Sequence, residues 1–253
     1  WRAQRLHALE ARRPPTAGGT LLAALALGDT RAPTAATWEL VRHTGTTHLL
    51  TVSGLHVSLV GGLVYALVRG LWPWAGRAAR AIPAARLAAP AAALAALGYA
   101  LAAGFAVPAQ RAALVFVLAM AGLWLYRTVD IGRLLAVAVW TVLVLDPLAL
   151  LTPGFWLSFG AVAVIGWLMA GRPWPGRVRA ALRVQIGLGM VLAVPVLGWF
   201  GVLTGAALPA NLLAVPWVSA VCTPLALAAA VALNVPGLGD GLVWLATLSL
   251  DAL

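Results

Sequence analysis

Long apolar runs, separated by short polar stretches, dominate this chain of 253 residues. Of its residues, 62% are hydrophobic and only 9% are charged, and the mean hydropathy is +0.95. A water-soluble domain is roughly half apolar and about a quarter charged. Runs of about 18 or more apolar residues are typical of helices that cross a bilayer. The sequence therefore predicts an all-α, polytopic bundle of transmembrane helices and excludes an ordinary soluble globule.

Proline, glycine and charged residues divide the apolar runs into seven or eight predicted spans, some of them interrupted or re-entrant. The expected spans are approximately 47–68, 87–107, 110–126, 133–151, 154–170, 184–204, 209–233 and a last one that begins near Gly241. Residues 20–28 are too few to cross a bilayer and predict a re-entrant or surface helix. The polar, basic residues 1–19 predict a segment that lies at the membrane surface.

The chain ends inside an apolar run, so we expect a piece of a longer protein that is truncated at its C terminus. We divide it into a lead-in of residues 1–46 and a multi-pass membrane domain of residues 47–253. The basic side chains, all of them arginine, indicate the orientation. The predicted loops after the first, third and fifth spans hold ten arginines, whereas the alternate loops hold only Arg111. Cytoplasmic loops are enriched in basic residues, so residues 1–46 are expected outside the cell.

Several polar side chains interrupt the apolar pattern of the first predicted span, which contains the string HLLTVSGLHVSLVGG. On a helical wheel, His48, Ser53 and His56 fall within an arc of about 140°. Gly54, beside Ser53, would let the helix open locally. Polar groups at bilayer depth usually face a partner, a cavity or a pathway. Two interpretations stay open, since these groups either join helices by hydrogen bonds or line a path.

Two charged residues occur near the predicted outer ends of later spans. Arg111 opens the third span and Asp146 interrupts the fourth. One interpretation is an outer vestibule lined by His48, Arg111 and Asp146. The alternative is a structural ion pair between Arg111 and Asp146.

The sequence offers little for catalysis or for metal binding. Ser53 and His56 suggest a serine hydrolase, but such an enzyme needs an oriented base, and in intramembrane proteases of the rhomboid type that base comes from a later helix. No histidine follows His56 in this chain. Four histidines without a carboxylate cluster or an HExxH motif make a poor zinc site. We therefore expect no catalytic residue, no metal and no cofactor in these residues.

The string TGTTHLLTVSGLHVSLV at residues 44–60 resembles the ComEC family of bacterial DNA-uptake channels. Its lead-in, LALGDTRAPTAATWELVRHTG, also resembles that family, and VPAQRAALVFVLA, Asp146-Pro147 and GFWLSFGAVAV follow in the family's order. The resemblance covers residues 20–165 clearly. The matched residues are Asp29, Gly45, His48, Ser53, Gly54, His56, Arg111, Asp146, Gly154, Phe155 and Ser158. Trp156 stands where many members carry glutamine.

The resemblance implies a channel that passes single-stranded DNA across the bacterial inner membrane during natural transformation. It implies OB-like and metallo-β-lactamase-like domains in the parent chain, but no enzyme within these residues. It also implies a DNA receptor on the outer side and a cytoplasmic ATPase or strand-binding proteins as partners. We hypothesise that His48, Ser53, His56, Arg111 and Asp146 line the path. A small-molecule or ion transporter is the alternative, and an intramembrane serine hydrolase is less favoured.

Overall fold

The structure is a computed structural model that describes residues 1–50, 52–125, 130–170, 176–201 and 204–253. The described residues form helices joined by turns and contain no strand, which confirms the predicted all-α class. The helices are α1 Arg2–Arg12, α2 Ala17–Leu27, α3 Ala35–His43, α4 Gly54–Leu71, α5 Arg77–Ala81, α6 Ala84–Ala102, α7 Val107–Trp124, α8 Ile131–Leu145, α9 Pro153–Met169, α10 Arg177–Phe200, α11 Ala207–Trp217, α12 Thr223–Ala232 and α13 Leu238–Asp251.

Five segments of the described chain are long and apolar enough to cross a membrane. They are Thr47–Ala75, Ala84–Ala102, Val107–Trp124, Val178–Phe200 and Ala207–Ala232. A helix of 18 residues is about 27 Å long, close to the thickness of the hydrocarbon layer. The apolar helices α2, α8 and α9 are shorter. The expected number of seven or eight spans therefore stays a prediction.

Two of the expected spans are interrupted, as the sequence predicted. The span expected at 133–151 is helix α8, which ends at Leu145, followed by a 3₁₀ turn, Pro147–Leu151. The span expected at 209–233 is α11 and α12, joined by a π-helical turn, Val218–Cys222. Proline explains the first interruption, because it lacks the N–H that an α-helix needs. Arg127 and Arg172, on which the predicted orientation partly rests, lie outside the described residues, and the orientation stays a prediction.

The chain divides into two compact units. The first, here called unit 1, comprises residues 1–56, 101–106 and 204–253, and unit 2 comprises residues 57–100 and 107–203. This division differs from the expected boundary between residues 46 and 47, since the lead-in folds together with the C-terminal helices. The placement of residues 1–46 outside the cell is a separate matter and stays a prediction.

Helix α2 lies at the centre of unit 1. Every residue from Leu21 to Leu27 is buried, and the helix packs against α12 and α13. The close packing requires glycine, because a Cβ atom on Gly18 would lie 2.6 Å from the carbonyl oxygen of Thr247. A helix that is apolar all round belongs in an interior. Protein covers every side of this helix, which does not agree with a surface helix at residues 20–28, and the re-entrant alternative stays a prediction.

Helix α1 packs onto the same core through Leu6 and Leu9, which are both buried. Its arginines bind the C-terminal ends of other helices. Arg2 Nε donates to the carbonyl oxygen of Leu27 over 3.1 Å, and Arg12 donates to that of Leu233. These carbonyls have no partner within their own helices, and the negative end of the helix dipole favours a cation there. The apolar face of α1 thus contacts protein, and the location of residues 1–19 at the membrane surface stays a prediction.

Unit 2 is built from most of α4 and α6 together with α5, α7, α8, α9 and α10, and α9 packs against both α8 and α10. Small residues and two phenylalanines fill one of its contacts, a cluster of Ala138, Ala149, Phe155 and Phe159. Many of its large apolar side chains are exposed, among them Leu145 at 78% and Val194 at 76%. An apolar exterior of this kind is typical of helices that face lipid, and it fits the predicted membrane location.

Candidate functional site

The polar motif at residues 47–56 is not one continuous helix. Thr47–Leu49 forms a 3₁₀ turn, Ser53 lies outside any helix, and α4 begins at Gly54. The prediction that His48, Ser53 and His56 share one face of a single helix is therefore wrong. The helical wheel assumed a rotation of 100° per residue through a segment that leaves helical geometry.

His56 is bound to the start of its own helix. Its side chain is 1% exposed, and its Nδ1 atom accepts a hydrogen bond from the backbone N–H of Ser53 over 3.2 Å. Ser53 thus occupies the N-cap position and His56 the N3 position, whose side chain reaches back as in a capping box. A neutral imidazole that accepts on Nδ1 carries its proton on Nε2. This contact supports a structural role for His56 and gives no support to a path lined by it.

The same contact bears on the serine hydrolase alternative. A general base must accept the proton of the nucleophile's hydroxyl group. In this structure the His56 Nδ1 atom accepts from the backbone nitrogen of Ser53. The pair is therefore arranged as a helix cap and not as a nucleophile with its base.

His48 is exposed, and its imidazole is bonded to the backbone of Gly45. Two observations show why position 45 requires glycine. It has a φ of +67°, and a Cβ atom at this position would lie 2.7 Å from the Cβ atom of Ala207 on α11. Only glycine adopts such a backbone conformation without strain. The Thr-Gly turn before His48 is thus shaped by its packing on α11.

Asp29 follows the C-terminal end of α2 and is 5% exposed. Its carboxylate accepts from Arg31 Nε over 2.8 Å and from the Arg31 backbone N–H over 3.3 Å. The hydrogen bond from the Arg31 side chain holds the pKa of Asp29 below its ordinary value, against the opposing effect of burial. Gly28, with a φ of +69°, forms the left-handed cap of α2. The Gly-Asp pair therefore ends α2 and turns the chain toward α3.

Arg111 lies in the second turn of α7 and is 5% exposed. Its Nη2 atom donates to the carbonyl oxygen of Gly154 in α9 over 3.0 Å, while Nε is buried without a hydrogen-bond partner in the described residues. No carboxylate of the described chain forms a salt bridge with it. A buried guanidinium without an acidic partner is costly inside a membrane, so such residues usually mark a functional site.

Asp146 does not pair with Arg111, so the alternative of a structural ion pair between them is wrong. The Asp146 side chain is exposed and accepts a hydrogen bond from the backbone N–H of Leu148 over 3.1 Å. It therefore caps the 3₁₀ turn that follows α8. An Asp before a proline commonly starts a turn in this way.

The remaining matched residues surround the start of α9. Gly154 allows the close approach of Arg111, since a Cβ atom there would lie 3.0 Å from Arg111 Nη2, and the guanidinium would have to move by a few tenths of an ångström. Phe155 is buried, and its ring centroid lies 4.9 Å from that of Phe159. Ser158 is half-buried, and Trp156 is exposed, with its Nε1 atom donating to the carbonyl oxygen of Leu150.

The structure thus brings Arg111 and Gly154 together in unit 2, and Ser53 and His56 together in unit 1. His48 and Gly45 also belong to unit 1, so the vestibule of His48, Arg111 and Asp146 stays a prediction. Within the described residues, no group of three or more His, Cys, Asp or Glu side chains is placed to hold a metal ion.

Sequence reasoning missed a polar cavity of about 520 Å³ in unit 1, at the start of α2 and α3. Thr16 and Thr34 could have been read as N-caps, because threonine before a helical run is a common start position. The sequence gives no sign that both caps face one cavity.

These features define a polytopic α-helical membrane protein with a buried, uncompensated arginine. The family model described as "Competence protein" matches residues 25–253, so the chain belongs to that family. This confirms the resemblance carried by the HLLTVSGLH string.

Three relatives are similar to most of this chain. The "Competence protein ComA" of Neisseria gonorrhoeae is 39% identical over 245 residues, which cover 90% of this chain and 34% of that protein. The "Recombination protein 2" of Haemophilus influenzae is 32% identical, covering 89% of this chain and 30% of that protein. The "Uncharacterized protein YcaI" of Escherichia coli is 28% identical, covering 91% of this chain and 31% of that protein.

The chain spans about a third of the length of these curated relatives. No solved structure matches it.

Proposed function

We propose that this chain is the membrane part of a DNA-uptake channel, through which one DNA strand crosses the bacterial inner membrane during natural transformation. Its membership of the Competence protein family supports this proposal, as do relatives named for competence and for recombination. We further propose that the whole protein adds OB-like and metallo-β-lactamase-like domains. A DNA receptor outside the membrane and an ATPase or strand-binding proteins inside it would complete the route.

The observation that carries the proposal is the buried guanidinium of Arg111. The guanidinium of Arg111 donates to one backbone carbonyl, that of Gly154, and pairs with no carboxylate among the described residues. A passing phosphodiester would supply the missing negative charge, at least for a moment. Contacts of this kind, between basic side chains and the phosphate backbone, provide most of the affinity in sequence-independent binding of nucleic acid.

The charge of unit 2 agrees with a polyanionic substrate. Its residue ranges hold eleven arginines and two aspartates. The positive-inside rule accounts for arginines in loops, but Arg111 lies within a helix, where that rule gives no reason for it. A substitution of Arg111 therefore tests best whether an arginine of unit 2 binds the substrate or only sets the orientation of the helices in the membrane.

The uptake of labelled DNA tests the proposal directly. The full-length gene would replace its counterpart in a competent host, in wild-type form and with Arg111→Gln, Arg111→Lys or Arg133→Gln. Arg133, exposed at the start of α8, is the matched control for the lost charge. We expect Arg111→Gln to reduce uptake about tenfold or more, because one charge-assisted hydrogen bond contributes about 1.5–3 kcal/mol. Arg111→Lys should keep part of the uptake, and Arg133→Gln nearly all of it.

Normal uptake by Arg111→Gln, at a normal level of folded protein, would contradict a role for this residue in the DNA path. A transporter of small anions is the second candidate, since interrupted helices such as the π-helical turn at Val218–Cys222 are typical of transporters. That function would be favoured if the null strain took up DNA normally but lost the uptake of a labelled small anion.

A further inference from the structure

The link between α4 and α6 is an ordered segment of unit 2 that the proposed DNA path does not use. It consists of a 3₁₀ turn, Trp72–Ala75, and the short helix α5, Arg77–Ala81. The indole Nε1 atom of Trp72 donates to the carbonyl oxygen of Ile82 over 2.8 Å and so closes the link on itself. The link connects two segments that are long and apolar enough to cross a membrane. It therefore lies at the level where such helices leave the hydrocarbon layer.

Three arginines on and beside this link carry positive charge that no acidic side chain balances. Arg69 stands in the last turn of α4, and Arg77 and Arg80 stand on α5, and all three are exposed. No salt bridge joins any of them to a carboxylate of the described chain. The sequence contains no aspartate or glutamate from residue 40 to residue 129. Their charge is therefore available to a partner outside the chain.

The two arginines of α5 are spaced to act together. Arg77 and Arg80 are three residues apart in a helix, so their side chains occupy neighbouring positions on one face. Each guanidinium is a planar fork of N–H donors, which matches two oxygens of a phosphate group. Two neighbouring forks therefore suit a ligand surface that presents phosphodiester groups.

Large apolar side chains accompany these arginines. Trp74 is 87% exposed, and Leu71 and Ile82, at the two ends of the link, are exposed as well. An indole ring is favoured where lipid headgroups meet acyl chains, because it has an apolar body and a polar N–H. A single DNA strand could stack on Trp74, but it offers no apolar phase to Leu71 and Ile82. The combination of charges and apolar groups thus favours lipid over nucleic acid.

The positive-inside rule alone does not account for this arrangement. That rule concerns the number of basic residues in a loop and requires no fixed structure. Here the hydrogen bond between Trp72 and Ile82 and the helix α5 hold the two arginines close in the chain to an exposed tryptophan. Basic clusters directly beside a transmembrane helix are typical binding sites for anionic lipid headgroups.

We propose that the segment from Leu71 to Ile82 binds the headgroups of anionic phospholipids. The phosphodiester oxygens would accept hydrogen bonds from the guanidinium groups of Arg77 and Arg80, and Arg69 would add attraction from the end of α4. The ring of Trp74 would lie among the glycerol groups and the upper parts of the acyl chains. This proposal is independent of the DNA path.

Lipid binding to the purified full-length protein in detergent tests the proposal. Phosphatidylglycerol and phosphatidylcholine with the same acyl chains are titrated into delipidated protein, and native mass spectrometry gives a dissociation constant for each lipid. The ratio of the two constants measures the selectivity for the anionic headgroup, because both lipids also bind to the apolar exterior. Thermal unfolding shows whether each variant is folded.

The main variant replaces both arginines of α5, Arg77→Gln together with Arg80→Gln. Its control, Arg133→Gln together with Arg179→Gln, removes the same charge from exposed positions near the starts of α8 and α10. We expect the wild-type protein to bind phosphatidylglycerol about tenfold or more tightly than phosphatidylcholine, since each arginine near an anionic headgroup strengthens binding about fivefold. The main variant should lose most of this selectivity, and its control should keep it.

The exposed indole is tested separately. Trp74→Ala should weaken the binding of phosphatidylglycerol severalfold, because the ring no longer lies at the boundary between headgroups and acyl chains. Trp140→Ala is the matched control, since Trp140 is an exposed tryptophan of α8 without an arginine beside it, and its loss should leave the binding unchanged.

Three results would overturn the proposal. The first is that the wild-type protein binds the two lipids equally. The second is an equal loss of selectivity in the two double variants, which would show an effect of total charge only. The third is that a single-stranded thymidine oligonucleotide displaces phosphatidylglycerol and binds less tightly to the variant of Arg77 and Arg80, which would assign the surface to a DNA strand. If that variant does not fold, Trp74→Ala and its control decide the question.

Discussion

Arg111 and Gly154 are joined by a hydrogen bond of 3.0 Å that links the second turn of α7 to the first turn of α9. The absence of a side chain at Gly154 favours this bond, because a Cβ atom there would lie 3.0 Å from Arg111 Nη2, a tight contact from which the guanidinium would have to shift. The carbonyl group of α9 thus positions the only arginine that we place in the DNA path.

Gly154→Ala is therefore expected to displace the Arg111 side chain and to reduce DNA uptake severalfold. The matched control is Gly160→Ala on the same helix, where a Cβ atom would make an ordinary contact of 3.6 Å with Leu192. The fraction of labelled DNA that reaches the cytoplasm gives the result, normalised to the amount of folded protein. Equal uptake by the two variants would show that DNA uptake does not depend on the position of the Arg111 side chain.

Gly28→Ala should lower the stability of unit 1. Gly28 has a φ of +69°, and a Cβ atom there would lie 2.5 Å from the carbonyl oxygen of Ala103. The left-handed conformation alone costs a non-glycine residue about 1 kcal/mol or more, and the clash adds to this. Gly241→Ala in α13, where a Cβ atom meets nothing within 4 Å, should change the melting temperature little. Thermal unfolding gives the melting temperature of both variants. The decrease must be larger for Gly28→Ala than for Gly241→Ala.

The Asp29–Arg31 pair should make stability depend on pH. The pKa of Asp29 is lowered mainly by the hydrogen bond from Arg31. A carboxyl group with a lowered folded-state pKa adds stability above its unfolded value of about 3.9, and this stability is lost as the pH falls through the folded value. Asp29→Asn should therefore lower the melting temperature at pH 7 and have less effect at pH 3. A difference that is the same at both pH values would contradict the role of the ionised pair.

His56 should be replaceable by a residue that keeps the cap. Glutamine at N3 accepts from the N-cap N–H in the same manner, so His56→Gln should keep more stability than His56→Ala. The alanine variant removes the partner of the N–H of the half-buried Ser53, and the loss of one hydrogen bond costs about 0.5–1.5 kcal/mol. Thermal unfolding and DNA uptake of the two variants check this expectation. Loss of uptake in a fully stable His56→Gln variant would instead indicate that the imidazole itself acts in the path.

The sequence by itself determined the class of this protein. Apolar runs of about 18 residues have few alternatives to helices that cross a membrane, because backbone groups in lipid must bond within their own segment. The string HLLTVSGLH was specific enough to indicate the family, and Asp146-Pro147 indicated where α8 would stop. These features are local in the sequence, so they do not depend on how the helices pack against one another.

Only the tertiary structure decided what the polar and apolar groups contact. The apolar pattern of α2 demands burial but does not distinguish lipid from a protein interior, and here α12 and α13 cover it. The spacing of Ser53 and His56 suggested one helical face, whereas the helix begins between them and the imidazole caps it. Arg111 was expected to face a path or Asp146, and its bond to Gly154 depends on a distance between two helices that are far apart in the sequence. The pattern of apolar and polar residues shows which side chains of a segment must be buried or hydrogen-bonded. Which atoms bury them or bond to them depends on the packing of segments that are distant in the sequence.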